Sequence, residues 1–315
     1  STTTKAIFDF LKFISQKDDF KDDIRDFYKN YTLCVIPILN PDGASLYTRN
    51  NANDVDLNRD AQKLSQKESV SLMDVFHQLK PDLCLNLHGQ RTIFGLETQK
   101  PASVSFLSPS LNVEREITDS RKAAMELIAH MNEVLQKYIP GQVGRYDDSF
   151  NENCFGDAIQ MLEVPVVLFE AGHIGRDYMR ETTRSYIFYS LIALFGFEKN
   201  KNTSISYKNY FQIPENKKIF YDYILRNVKI NDEDKSTSIA IQFTESLENE
   251  NIKFVPKIIR IDDLKGLFGH VEMDAKFSKI LVNSQNNINI DLIVSVIINK
   301  NDNSLIYFDK NNFLF

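Results

Sequence analysis

Residues 81–89 read PDLCLNLHG and residues 164–172 read VPVVLFEAG, and these two stretches decide the fold class. Within them, Asp82–Leu87 and Val164–Phe169 are predicted strands, each a short apolar run that begins beside a proline and leads to a titratable residue close to glycine. Strands that are buried on both faces have this composition, whereas half-exposed strands alternate apolar and polar residues. A sheet of such strands needs helices on both faces, so the two runs predict an α/β protein.

Further segments fit the same sheet. Thr32–Leu39 and Val104–Leu107 are predicted strands, and the first of them ends at the turn sequence NPDG of residues 40–43. Apolar residues at helical spacing predict helices between the strands. These cover Thr4–Ile14, Ala61–Leu79, Glu114–Tyr138 and Tyr178–Phe195. The expected catalytic domain, residues 1–197, is a mixed, largely parallel sheet with helices on both faces.

The composition changes after residue 197. Residues 198–203 are polar and are predicted to be a linker, and the residues beyond them are rich in Ile, Val, Asn and Lys. Short strand-like runs lie at Ser238–Phe243, Lys253–Ile261, Ile290–Ile298 and Leu305–Phe308. We therefore predict a smaller β-rich accessory domain over residues 198–315.

Charge and hydropathy exclude several classes of partner. The net charge is −6 and no basic block is present, so a nucleic-acid partner is not expected. No apolar run approaches the roughly 20 residues that span a bilayer. Cys34 and Cys84 lie inside predicted strands, so we expect buried thiols in a reducing compartment and a cytoplasmic location.

Polar residues stand at the carboxyl ends of the predicted strands, where open α/β sheets bind ligands. His88 ends one strand and Glu170 ends another, as a metal ligand and a general base could. The alternatives are a hydrogen-bonded structural histidine and a salt-bridged strand end. A carboxylate directly after VPVVLF must be paired, bound to a metal, or shifted in pKa.

The loop of residues 40–59, NPDGASLYTRNNANDVDLNR, is too long and too polar to be a core element. It carries Arg49 and Arg59, and a guanidinium binds a carboxylate in bidentate fashion. A carboxylate-recognition loop beside the strand ends is one interpretation. A solvated surface loop is the other.

The order NPDG, Arg49, residues 55–59 (VDLNR), His88 and Glu170 resembles the zinc metallocarboxypeptidase family, typified by pancreatic carboxypeptidase A. The resemblance covers residues 1–197. It implies a metallocarboxypeptidase that hydrolyses the C-terminal amide bond of a peptide or small amide with a free carboxylate. It also implies one Zn²⁺ per intact chain, which would lower the pKa of its bound water and polarise the scissile carbonyl.

The resemblance assigns catalytic roles to three side chains. His88 would be the third zinc ligand. Glu170 would be the general base that activates water and passes the proton to the leaving amine. Arg49 would polarise the scissile carbonyl and stabilise the oxyanion.

Other side chains would bind or support the substrate. Asn58 and Arg59 would hold its terminal carboxylate, and Asp56 would hydrogen-bond the first ligand histidine. Tyr146 is the candidate for a mobile substrate-binding tyrosine of the family, with an ordinary loop aromatic as the alternative. Asp157 is the candidate for an aspartate near the specificity pocket.

The first two zinc ligands of the family, the His and Glu of an HxxE motif, do not precede His88 in this sequence. The one HxxE run, His130–Glu133, lies in a predicted helix after His88, and we interpret it as an ordinary helix face. We expect the motif upstream of Ser1, so the chain as printed would bind zinc poorly and be nearly inactive. A pseudoenzyme is the rival interpretation.

Two other functions stay open. An N-acyl amino acid amidohydrolase of the aspartoacylase and succinylglutamate desuccinylase type shares the ligand pattern, although the Asp42-Gly43 pair favours the carboxypeptidase. The other is a zinc-free module that binds carboxylate ends through Asn58 and Arg59. The sequence indicates neither side-chain specificity nor oligomeric state.

Overall fold

The computed structural model describes residues 1–16, 20–198, 205–231 and 235–308. The helices in these ranges are α1 Thr2–Gln16, α2 Lys21–Asn30, α3 Pro41–Leu46, α4 Lys67–Leu79, α5 Asp119–Leu135, α6 Phe155–Gln160 and α7 Glu181–Leu194. The strands are β1 Cys84–Gly89, β2 Phe94–Gly95, β3 Val104–Leu107, β4 Val143–Arg145, β5 Val166–Ala171, β6 Lys217–Lys218, β7 Phe220–Val228, β8 Thr237–Glu248, β9 Asn251–Asp262, β10 Phe268–Asp274, β11 Ile280–Val282, β12 Val296–Asn299 and β13 Leu305–Tyr307. The protein is a mixed α/β protein, as predicted.

The described chain divides into two compact units. The first comprises residues 1–90, 96–173 and 180–216, and the second comprises residues 91–95, 174–179 and the chain from residue 217 onward. Of the predicted linker, residues 199–203 lie outside the described residues. The first unit continues beyond them to Asn216.

The first unit contains a four-stranded sheet with the order β1-β5-β3-β4. The pairs β1/β5 and β3/β4 are parallel, and the central pair β5/β3 is antiparallel. The sheet is therefore mixed, with parallel pairs at both ends. Val104–Leu107 forms a strand with the predicted bounds, and the runs beginning at residues 82 and 164 form β1 and β5, each displaced by two residues.

Helix α1 shows how the sequence builds the core of this unit. Its apolar residues recur at helical spacing, and Ala6, Ile7, Phe10 and Ile14 are buried in one cluster with residues of α5, α7 and the sheet. The Phe10 ring stacks on Phe195 at 5.0 Å between ring centroids. Phe10 thus anchors α1 to the segment that follows α7.

The predicted strand Thr32–Leu39 is wrong, because these residues form no strand in the described structure. Leu33 and Val35 pack against the core, but Ile36 and Ile38 are 43% and 55% exposed. Cys34 is also exposed, so the expectation of a buried thiol there is wrong too. β-branched composition favours extended backbone, but a strand also needs a partner for its N–H and C=O groups. None of the described residues pairs with this segment.

Three predicted helices begin later than their patterns suggest, among them α7, which begins at Glu181 and not at Tyr178. Asp60 is buried, and its carboxylate accepts hydrogen bonds from the Ser65 and Gln66 backbone N–H groups, each at 3.0 Å. These bonds hold residues 60–66 in turns, so α4 begins at Lys67. Thr118 caps α5, which excludes residues 114–117 from the helix.

The second unit is built mainly of strands. They form a sheet with the order β10-β7-β8-β9, a sheet with the order β11-β12-β13, and the short pair β2/β6. The predicted strand Ile290–Ile298 is wrong in its first half, since the regular strand covers only Val296–Asn299. Residues 291–294 instead bond irregularly to β9, with Asp291 N–H donating to the Ile258 carbonyl at 2.7 Å.

No helix within the described ranges is long and apolar enough to cross a membrane.

Replacing Phe10 with Ala is expected to lower the free energy of unfolding by about 3–5 kcal/mol, because it leaves a cavity among packed aromatic rings. Phe8→Ala on the same helix is the matched control, since Phe8 is 52% exposed, and we expect a change within about 0.5 kcal/mol. Urea unfolding followed by circular dichroism measures both. Equal losses for the two variants would contradict this assignment of the core.

Candidate active site

The carboxyl ends of β1 and β5 bring two titratable side chains together. The strands are parallel and in register, with His88 opposite Glu170 and Gly89 opposite Ala171. Neighbouring strands lie about 4.8 Å apart, and register partners in a parallel pair project from the same face of the sheet. The histidine and the glutamate that sequence reasoning selected are therefore neighbours.

His88 is held as a neutral imidazole. Burial lowers its pKa from 6.5 to about 4, with the positive charges of Arg49 and Arg59 adding to the effect and Asp56 opposing it. The Nε2 atom is buried and has no hydrogen-bond partner among the described residues. A buried, unpartnered polar atom is costly, and a neutral imidazole nitrogen is a good metal ligand.

Burial also favours the neutral form of Glu170, which shifts its pKa in the opposite direction to that of His88. Burial raises its pKa from 4.5 to about 8, although Arg180 and Arg49 act to lower it. Its Oε2 atom is also buried without a hydrogen-bond partner in the described part of the chain. A carboxyl group with a pKa close to neutrality can both accept and donate a proton.

The NPDG sequence forms the start of α3 and shapes the first part of the loop. Asn40 caps the helix by accepting from the Gly43 N–H at 2.9 Å, and Pro41 takes the first helical position. The Gly43 carbonyl then accepts from the Thr48 N–H at 2.9 Å. A Cβ on Gly43 would lie 2.7 Å from the Thr48 carbonyl oxygen and still closer to the Asn40 amide, so only glycine fits.

The second part of the loop positions Arg49. Its Nε donates to the Asp56 carboxylate at 2.8 Å, and the other oxygen of Asp56 accepts from the Asn58 N–H at 3.0 Å. Asp56 thereby caps the short 3-10 turn Leu57–Arg59, which the buried Leu57 anchors. The resemblance assigned Asp56 to a ligand histidine, and in this structure its partner is Arg49.

The structure brings Arg59 near the same strand ends. Its charge acts on the pKa of His88, as stated above, and on that of Asp157. Burial raises the Asp157 pKa to about 6, and Arg59 is among the groups that lower it. Asn58 lies in the same 3-10 turn, where its carbonyl accepts from Arg59 Nη1 at 2.7 Å.

Tyr146 follows β4 and lies close to Glu170. Burial raises the pKa of its hydroxyl and the Glu170 charge raises it further, while a hydrogen bond with the Asn216 side chain lowers it. Asn216 in turn donates to the Gln90 amide oxygen at 3.2 Å and to the Ser105 hydroxyl at 3.0 Å. This network fixes the tyrosine beside the carboxyl group.

Sequence reasoning missed two residues of the site, Asn216 and Arg180. Asn216 is remote in sequence from every predicted motif, so no local pattern indicates it. Arg180 lies in the polar segment after β5, and an arginine so soon after Glu170 was the available signal. Its Nη1 donates to the carbonyl oxygens of Gln90, which follows β1, and of Ala171, which ends β5.

His88 fits a zinc site by its chemistry, but it supplies only one ligand. Among the described residues, no three His, Cys, Asp or Glu side chains gather as a metal site. The HxxE histidine, His130, bonds Glu198 instead. The described residues therefore hold one member of the ligand set that the resemblance implies.

Comparison with known protein families and with curated proteins identifies no relative of this chain. No model of a known protein family matches the chain, and no curated protein matches it. The roles of these residues are therefore inferred from their geometry and from the sequence pattern.

Gly43→Ala is expected to lower the unfolding free energy by about 1–3 kcal/mol, because the new methyl group overlaps the loop backbone. Ala44→Gly is the matched control, and it should cost no more than about 1 kcal/mol through helix propensity. Thermal unfolding compares the two. A Gly43→Ala variant as stable as the parent would show that the loop is not built as described.

Glu170→Gln is expected to change how stability depends on pH in chelator-treated protein. Between pH 4.5 and 8 the unfolded chain releases the Glu170 proton while the folded chain keeps it, so the parent loses stability as pH rises. Glutamine stays neutral. Urea unfolding at pH 5 and pH 8 measures the free energy of unfolding. The value for the variant, relative to that of the parent, should rise by on the order of a few kcal/mol from pH 5 to pH 8.

The exposed Glu163 provides the control for this measurement. Glu163→Gln should track the parent at both pH values. His88 also makes the free energy of unfolding depend on pH, because its contribution is lost as pH falls from 6.5 toward 4. This contribution is common to the parent and both variants, so it cancels when their unfolding free energies are subtracted. A difference between Glu170→Gln and the parent that stays constant with pH would contradict the assigned protonation state.

Proposed function

We propose that the protein hydrolyses the C-terminal amide bond of a peptide or small amide with a free carboxylate, with one zinc ion in the complete site. The observation that carries this proposal is the register pair His88 and Glu170, each with a buried polar atom that no described residue satisfies. Buried groups without partners are expected where a ligand or a reacting group completes the site.

His88 would contribute one zinc ligand through Nε2. Zinc would supply a Lewis acid for the scissile carbonyl and a lowered pKa for the attacking water. The other two ligands would be the His and Glu of the HxxE motif that the resemblance implies. His88 itself needs no deprotonation at neutral pH, because burial keeps its imidazole neutral.

Glu170 would move the proton. In its ionised form it takes a proton from the attacking water, and it then delivers that proton to the leaving amine nitrogen as the C–N bond breaks. A bound cation would lower its pKa from about 8 toward neutrality, which favours the ionised form at the start of the reaction. Arg49 and Arg180 act in the same direction.

The arginines of the loop would orient the substrate. The Asp56 contact at 2.8 Å restrains Arg49, whose guanidinium would stabilise negative charge on the carbonyl oxygen in the transition state. Arg59 and Asn58 would hold the terminal carboxylate, and Tyr146, which lies beside Glu170, would contact the bound substrate. The exposed position of Arg59 leaves it accessible to a ligand.

The more specific assignment of the fold is part of the same proposal. A metallocarboxypeptidase-like fold is supported by the mixed sheet and by the placing of both key side chains at the carboxyl ends of a parallel pair. Every side chain with a proposed role belongs to the first unit. We therefore assign an accessory role to the β-rich second unit.

Zinc content and dipeptide hydrolysis by the full-length natural protein test the function. We expect one tightly bound zinc per chain and release of the C-terminal residue from N-blocked dipeptides. Glu170→Gln should retain zinc and lose about 10²–10⁴-fold in kcat, since it removes a general base. His88→Ala should lose the zinc, and Glu163→Gln should match the parent.

Two outcomes would overturn the carboxypeptidase assignment. Hydrolysis of N-acyl amino acids without hydrolysis of dipeptides would establish the amidohydrolase alternative. Absence of zinc together with Arg59-dependent binding of carboxylate ends would establish a non-catalytic binding module.

A further inference from the structure

We propose that Arg180 binds a second anionic group of the substrate, so that the protein selects substrates with an acidic group in addition to the terminal carboxylate. This inference deepens the proposed function and rests on it. It concerns a residue to which the sequence pattern assigns no role.

The backbone and side chain of Arg180 are both fixed. Its φ angle is 56° at the N-cap position of α7, a left-handed conformation that several other non-glycine residues of the chain also adopt. Nη1 donates to the Gln90 carbonyl at 2.8 Å and to the Ala171 carbonyl at 3.0 Å. These carbonyls follow His88 and Glu170 closely, so the guanidinium lies across the ends of both strands.

The guanidinium of Arg180 lies against the backbone next to His88, since a Cβ built on Gly89 would make an ordinary van der Waals contact with Nη1 at 3.7 Å. Both contacts of Nη1 are with neutral carbonyls. Within the described residues Arg180 forms no ion pair, and its Nη2 and Nε atoms have no hydrogen-bond partner. One edge of the guanidinium of the half-buried Arg180 therefore has no hydrogen-bond acceptor among the described residues.

The charge balance of the site points the same way. The Asp56 carboxylate pairs with Arg49. Arg180 is near enough to Glu170 to lower the pKa of that carboxyl, but among the described residues neither Arg180 nor Arg59 has a carboxylate within ion-pair distance. One terminal carboxylate satisfies only one of these two guanidiniums. A guanidinium takes a carboxylate in bidentate geometry, so a second acidic group on the substrate completes the site.

A structural role alone would not need the charge. Donation to two neutral carbonyls requires N–H groups but no positive charge. The test therefore has to separate the charge of Arg180 from its contribution to the fold.

The experiment uses two substrate pairs with the full-length natural protein at pH 7.5. The first pair is N-acetyl-Ala-Glu and N-acetyl-Ala-Gln, and the second is N-acetyl-Glu-Ala and N-acetyl-Gln-Ala. Each pair differs only in an acid or an amide, so the ratio of kcat/KM within a pair reports recognition of the second charge. This ratio is insensitive to a general loss of activity.

For the parent protein we expect kcat/KM to be about ten- to one-hundred-fold higher for the acid than for the amide in one of the two pairs. This is the effect of one charge-assisted hydrogen-bonded contact. Arg180→Gln should bring that ratio close to one, and Arg180→Lys should keep part of it. Arg25→Gln is the control, since Arg25 is exposed and pairs only locally with Asp22. It should leave both the ratio and the activity unchanged.

An acid-to-amide ratio near one for both pairs in the parent, or a ratio that Arg180→Gln leaves intact, would overturn the proposal. If no dipeptide is hydrolysed, the proposed function fails separately, and calorimetric binding of glutarate and butyrate decides the role of Arg180. Tighter binding of glutarate that Arg180→Gln abolishes would support the anion site. Equal binding of the two acids by the parent would reject it.

Discussion

The in-register parallel pairing of β1 with β5 is the constraint on which the rest of the site depends. It places His88 opposite Glu170, at the point where both strands end. A slip of one residue would turn one side chain to the other face of the sheet, because side-chain direction alternates along a strand. The loop of residues 40–59, Tyr146 and Arg180 then act on a pair whose spacing the backbone has already set.

Burial is the main physical influence on this pair, and it shifts the pKa values of the two groups in opposite directions. It favours the neutral imidazole of His88 and the neutral carboxyl of Glu170, because each charged form loses hydration. The surrounding guanidiniums reinforce the first effect and oppose the second. The result is a neutral imidazole beside a carboxyl group whose pKa lies close to neutral pH.

Much of this arrangement could be predicted from the sequence, because the information is local. The apolar runs of β1 and β5 identify buried strands, and a polar residue at the end of such a run marks the ligand-binding edge. The NPDG sequence also predicts its own turn, since Asn40, Pro41 and Gly43 each satisfy a local backbone requirement. These features depend on few distant contacts.

The missed features depend on contacts between distant parts of the chain. Thr32–Leu39 has strand composition, but pairing requires a partner that composition does not specify. Asn216 reaches Gln90 and Ser105 across a long stretch of sequence, and no periodic pattern indicates such a contact. The side chain of Arg180 crosses two strand ends only because the fold brings them together.

Mass spectrometry of one peptide, given to the full-length protein with either a free or an amidated C-terminus, tests the central claim most directly. We expect the free peptide to lose residues one at a time from its C-terminal end and the amidated peptide to stay intact. Cleavage of both forms, or cleavage at internal bonds, would contradict a site built around a terminal carboxylate.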